Sequence, residues 1–148
     1  MRLVAQRVTQ ASLVISGKIV GKIGSGLVVF VAIGVKDTKN IAEKMAQKIV
    51  NLRVFADSKA KMNLSLKEVK GGLLVIPQFT LYASLKGQNR PFFGEAAKPE
   101  EAKKLFNYFF NKIKSEVEKV ESGEFGAFMQ VNLTNDGPVT IIIDSKEF

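Results

Sequence analysis

No cysteine, histidine or tryptophan occurs anywhere in the 148 residues. The first absence removes disulfides, thiolate nucleophiles and cysteine-held zinc or iron–sulfur centres. The second removes the usual base near neutral pH, and with it Ser-His-Asp and Cys-His catalysis and histidine-ligated metals. Carboxylates do not fill that gap, because the four aspartates, Asp37, Asp57, Asp136 and Asp144, are scattered singly, so no metal and no other cofactor is expected. Apolar runs fall short of the roughly 20 residues of a membrane span. The segment Met1-Arg2-Leu3-Val4-Ala5-Gln6-Arg7 has charges inside its first apolar stretch and no cleavage pattern, which argues against a secretory signal. A soluble cytoplasmic protein with no membrane partner is expected.

What is abundant is positive charge. Twenty-two basic residues against 14 acidic ones leave +8, a balance that favours approach to a polyanion and makes nucleic acid the leading partner class. The competing reading is that lysine-rich helices are only solvated faces or surface ion networks. The length suits one domain, residues 1–148, which buries roughly two-thirds of the surface exposed by its unfolded chain.

Residues 2–15 read as a strand, and Ser16-Gly17 turns the chain into a second strand over 18–23, making a hairpin. The run Leu27 to Ile33 is apolar without alternation, as a strand covered on both faces must be. Asp37 or Thr38 caps a helix whose apolar positions are Ile41, Ala42, Met45, Ala46, Ile49 and Val50. Short extended pieces are expected at Leu52–Phe55 and Leu64–Leu66, and a buried strand at Leu73–Ile76. There Pro77 lacks a ladder N–H, so pairing on one side stops and leaves the following backbone free for other work. A loop over 83–98 precedes a helix that begins at Pro99-Glu100-Glu101, carries the stripe Ala102, Leu105, Phe106, Phe109, Ile113, Val117 and Val120, and ends at Gly123. Two strands follow, at Phe128–Leu133 and Val139–Ile143. The expected fold is α+β: a single domain with a mostly antiparallel or mixed sheet, or a barrel-like core, and two main helices. Because Leu27–Ile33 and Leu73–Ile76 need cover on both faces and two helices supply little of it, a homodimer is expected.

Three patches exceed what local structure requires. Pro77-Gln78-Phe79-Thr80 sits at a strand end, and Asn135-Asp136-Gly137-Pro138 separates two strands, although the latter is also ordinary turn chemistry. The third, Lys86-Gly87-Gln88-Asn89-Arg90-Pro91, joins cations to flexible backbone, as phosphate-contacting loops do.

The first two patches, taken in order and about 55 residues apart, resemble the motifs of the D-aminoacyl-tRNA deacylase family. That family carries Ser-Gln-Phe-Thr where this chain has Pro77-Gln78-Phe79-Thr80, and Asn-X-Gly-Pro-Val-Thr where it has Asn135-Asp136-Gly137-Pro138-Val139-Thr140. Arg7-Val8, Gly34-Val35, Leu81-Tyr82-Ala83, Arg90-Pro91 and Phe125-Gly126-Ala127 extend the likeness along the whole chain. The family's serine is Pro77 here, so neither its hydroxyl nor its N–H carries over.

The resemblance implies a cytoplasmic homodimer that hydrolyses the ester between a D-amino acid, or glycine, and the 3′-terminal adenosine of tRNA. It implies that Gln78 orients the first motif, that the Phe79 and Thr80 backbone N–H groups hold the carbonyl oxygen, and that the tRNA 2′-hydroxyl assists. It also implies that a cis Gly137-Pro138 bond, with Pro77 nearby, enforces chirality across the dimer interface by excluding the L substituent. Lys86, Arg90 and Arg7 are the expected tRNA contacts. The absence of histidine and metal agrees with this, since an activated ester needs only oriented attack and oxyanion stabilisation. The alternatives are a non-enzymatic basic RNA-binding module and, last, a small-molecule or lipid-binding domain. An RNA-binding sheet displays stacking aromatics, whereas the eleven phenylalanines are expected mostly on buried faces.

Overall fold

The computed structural model describes residues 1–148. Strand β1 (Arg2–Ile15) is the spine, and β2 (Lys18–Ile23) folds back on it as the hairpin read from the sequence. Strand β3 (Gly26–Ala32) pairs antiparallel with Arg2–Val8 of β1 and parallel with β6 (Gly72–Pro77), which places it in the middle of the sheet. A short β7 (Val120–Ser122) adds parallel to β6, and β8 (Gln130–Asp144) runs antiparallel along nearly all of β1. The hairpin of β4 (Arg53–Ala56) and β5 (Met62–Ser65) forms a separate two-stranded sheet.

Helix α1 (Lys39–Val50) starts where Thr38 Oγ1 accepts from the Ile41 N–H at 3.3 Å. The other candidate cap, Asp37, instead receives the Gly34 N–H at 2.6 Å and the Met1 ammonium. Helix α2 (Pro99–Lys114) has Pro99 and two glutamates in its first turn and two lysines in its last, as the helix dipole favours.

Alternate residues of the central strands feed two cores. Leu27, Val29, Val31, Leu73 and Val75 face Met45 and Ile49 of α1 and Phe106, Phe109 and Ile113 of α2. Val28, Leu74 and Ile76 face Val8, Ala11, Leu13 and Ile23, with Met129, Val131 and Leu133 packed alongside. Each fully buried side chain of this size contributes about 1.5–3 kcal/mol. Strand β1 serves the first core with Leu3 and Ala5 and the second with Val8, Ala11 and Leu13. It changes phase where its pairing with β8 shifts on either side of Val8. That irregularity curls the sheet into a nearly closed barrel. At the mouth of the β3–β6 pair the backbones approach so closely that a Cβ on Gly26 would lie 1.9 Å from the Gly72 carbonyl oxygen.

Three expectations change. The unbroken apolar runs of β3 and β6 are covered on both faces within one chain, so that burial pattern does not call for a second subunit. Helix α2 ends at Lys114 rather than near Gly123. Val117 and Val120 keep helical spacing, but β6 has an open edge there, and Val120–Ser122 pairs with it instead. The two final strands are one, because the long β1 offers partners on both sides of Asn135–Pro138 and the chain does not reverse.

Candidate active site

Strand β6 ends in the way its sequence demands. The Gln78 N–H still donates to Val31 O at 2.8 Å on the β3 side, while on the other side the ladder closes with the Gly123 N–H on Val75 O at 2.9 Å. Pro77 therefore sacrifices no ladder bond. The chain then makes a single 3₁₀ turn, Phe79–Tyr82, instead of staying extended. The N–H groups of Phe79 and Thr80 open this turn and find no acceptor within the chain. Gln78 Nε2 donates to Thr80 Oγ1, tying the side chain before the turn to one inside it.

Beside these donors lies a cleft of about 650 Å³, lined by Pro77, Gln78, Phe79, Phe93, Phe125 and Phe128 among mainly apolar residues. Lys98 is its one charged lining residue. Phe79 meets Phe93 edge-on, with ring centroids 4.9 Å apart. Phe128 is 88% exposed and Phe79 56% exposed. Phe55, Phe106 and Phe109 are buried, and Phe30, Phe110 and Phe125 pack partly buried against the two cores, so most of the phenylalanines do lie on buried faces, while Phe79, Phe92, Phe128 and Phe148 are exposed. The exposed ones stand on the 3₁₀ turn, in loops and at the chain end rather than across an open strand face. Phe93 and Lys98 had no local signal in the sequence, Phe125 stood out only as part of the family likeness, and Phe128, expected to open a strand, lies in the loop before it; these residues come together only in the fold.

The second motif is a kink within β8. Gly137-Pro138 is a cis peptide, and Gly137 has φ +127°, a conformation suited to glycine. A Cβ there would lie 2.7 Å from Val139 Cγ2 and 3.1 Å from Arg7 Nη2. Asn135 braces the kink from within: its Oδ1 accepts the Val139 N–H at 2.9 Å, and its Nδ2 donates to Thr140 Oγ1 at 3.0 Å. Arg7 braces it from β1, with Nε 3.0 Å from Asp136 Oδ2 and Nη1 donating to Val54 O at 2.5 Å. The Arg7 side chain is only 14% exposed. Its guanidinium is thus committed to the kink and to the root of the β4–β5 hairpin. Gly137 and Pro138 are exposed, yet neither lines the cleft of their own chain.

Lys86 and Arg90 lie on an exposed loop pinched at its base by reciprocal bonds between Ser84 and Phe92, 2.8 and 3.0 Å long, and neither cation has an ion-pair partner. At the far end of the 3₁₀ turn, burial raises the Tyr82 hydroxyl above its ordinary range and keeps it a neutral phenol. Burial alone would also raise the Asp144 carboxyl. The Lys146 N–H and the Arg2 guanidinium outweigh that and hold it below its ordinary value.

An apolar cleft bordered by free backbone donors, in a chain without histidine or cysteine, suits a hydrolase acting on an already activated acyl group. The description of a D-Tyr-tRNA(Tyr) deacylase matches residues 4–144. The chain is 53% identical over 148 residues to a D-aminoacyl-tRNA deacylase of Thermosipho melanesiensis, and the match covers 99% of both proteins. It is 48% identical over 147 residues to the corresponding Fervidobacterium nodosum protein, again with 99% of each covered. A solved structure described as a c-Myc DNA unwinding element binding protein superposes with TM-score 0.93 at 39% identity, covering 97% of this chain and 98% of that one. A probable eukaryotic D-amino acid tRNA deacylase shares the fold, with TM-score 0.82 at 18% identity and coverage of 96% and 97%. The chain belongs to the D-Tyr-tRNA(Tyr) deacylase family.

Proposed function

We propose that this chain hydrolyses the ester joining a D-amino acid to the 3′-terminal adenosine of tRNA, releasing free tRNA and the amino acid, and that glycine esters are also substrates. The observation that carries the reading is the pair of unpartnered N–H groups at Phe79 and Thr80 beside an aromatic cleft. The cleft receives the terminal nucleoside, whose base is flat and apolar enough for Phe79, Phe93 and Phe128. The ester carbonyl then meets the two amides. Attack by water places negative charge on the carbonyl oxygen, and fixed donors stabilise that charge at the moment it forms. The water's proton needs an acceptor that the protein does not supply as histidine. The vicinal 2′-hydroxyl of the tRNA relays it, taking the proton from water as it gives its own to the 3′-oxygen, which leaves as the ribose hydroxyl when the ester C–O bond breaks.

Selection against L-amino acids acts at the α-carbon, because many D side chains must be accepted. Gly137 and Pro138 provide a small rigid edge for this. They do not line their own chain's cleft, so the reading assigns them to the site of a second copy in a homodimer. Exclusion there leaves a D substituent pointing outward and lets glycine pass. Arg7 holds that edge in place, while Lys86 and Arg90 contact tRNA phosphates, consistent with their exposure and lack of acidic partners. Cytoplasmic residence follows from the substrate. No helix is long and apolar enough to cross a membrane.

The test is ester loss from D-tyrosyl-tRNA and L-tyrosyl-tRNA in the presence of EDTA-treated protein. The D ester is expected to disappear and the L ester to persist. A 2′-deoxy terminal adenosine carrying the 3′-linked D ester is expected to be cleaved far more slowly. Tight tRNA binding with no cleavage of any ester would return the chain to the class of RNA-binding modules.

A further inference from the structure

Arg2 stands at the start of β1, opposite Ala32 of β3 and Asp144 of β8. Because the next pair of strands aligns Val31 with Pro77, Arg2 lies within reach of the chain that leaves β6 for the 3₁₀ turn. Its guanidinium makes three contacts. Nε donates to Asp144 Oδ2 at 2.8 Å, Nη1 donates to Leu81 O at 3.1 Å, and Cζ lies 4.8 Å from the centre of the Tyr82 ring. Asp144 is itself set in place by the Lys146 N–H at 3.0 Å. No other charged side chain bonds to the turn. The opposite end is gripped by Gln78, through Val31 O on the main chain and Thr80 Oγ1 on the side chain. The two free amides lie between these grips.

We propose that Arg2 is a positioning residue for ester hydrolysis, setting the direction of the Phe79 and Thr80 N–H groups by holding the trailing end of their turn against β8. The inference rests on the reading that those amides receive the oxyanion. Donors of this kind act when they lie about 2.7–3.1 Å from the charge that develops, and a misplacement of about 1 Å costs roughly 100-fold in rate. A single 3₁₀ turn has little internal hydrogen bonding with which to hold such tolerances. The planar fork of arginine grips a carboxylate and a carbonyl while lying over an aromatic ring. Lysine, a point charge, can keep the partnership with Asp144 but cannot make all three contacts.

The experiment compares Arg2→Lys and Arg2→Ala with the wild-type protein in D-tyrosyl-tRNA hydrolysis, with thermal unfolding and amide exchange measured on the same samples. R2K is expected to melt near wild type, to keep KM for tRNA within about 2-fold, and to lose roughly 10-fold or more in kcat. R2A is expected to lose roughly 100-fold in kcat. In both, the Leu81 and Ala83 amides should exchange faster. R2K with wild-type kcat overturns the inference, as does a loss in both variants that follows only the folded fraction. Active wild type beside active R2K removes this inference alone. Wild type that leaves D-tyrosyl-tRNA intact removes the proposed function and the inference with it.

Discussion

Thr80 and Gly137 separate the work of backbone from that of side chain. Thr80→Ala removes a hydroxyl whose role in the structure is to accept from Gln78, while leaving the amide in place. Its kcat is expected to fall by less than about 10-fold, since an unactivated hydroxyl is a weak nucleophile, and a loss of several thousandfold would make that hydroxyl a nucleophile. Gly137→Ala acts oppositely. At φ +127°, with Val139 Cγ2 2.7 Å from the new methyl, the substitution should cost about 1–3 kcal/mol and lower Tm by roughly 4–10 °C. It should also weaken discrimination between D- and L-tyrosyl-tRNA. An unchanged ratio in a folded G137A protein would remove Gly137 from chiral selection. At this scale the sequence was only partly legible. Pro77 announced the end of regular pairing, but nothing in the sequence around Arg7, expected among the tRNA contacts, showed that Asp136 and Val54 would hold its guanidinium.

Local chemistry explains most of the elements and also the places where reading them failed. Ser16-Gly17, the Thr38 cap and Pro99 each act within a few residues, so the β1–β2 hairpin and the starts of both helices could be read directly. The end of α2 could not, because Val117 and Val120 have helical spacing and only the open edge of β6 decides against it. Asn135-Asp136-Gly137-Pro138 likewise carries turn chemistry but becomes a kink because β1 continues past it. The aromatic cleft was illegible for the same reason: its residues come from separate segments joined by the fold. At the loop of Lys86 and Arg90, the double alanine variant should raise the tRNA Kd. It should also reduce the log Kd versus log salt slope by about 1.4–1.8, the value for two lost phosphate contacts. An unchanged slope would return both cations to solvation, and the D-to-L ratio should not move in either case.

For the whole molecule, the division of the two motifs has a measurable consequence. Gly137 and Pro138 do not line the cleft of their own chain, and in the proposed reading they complete the cleft and amides of a second copy. Light scattering at micromolar concentration should give twice the chain mass, and an active monomer would overturn the arrangement. Strand β1 carries a different implication. Its full-length partner β8 meets it with Arg2 opposite Asp144, a pairing between strands far apart in the chain. On a ribosome adding about 5–20 residues per second, β1 waits on the order of ten seconds for that partner to be made. During that interval one side of the sheet's longest-waiting strand is an open edge, available to any other extended chain. Nascent chains halted before residue 130 should therefore bind holdase chaperones more strongly than chains released after β8 has emerged.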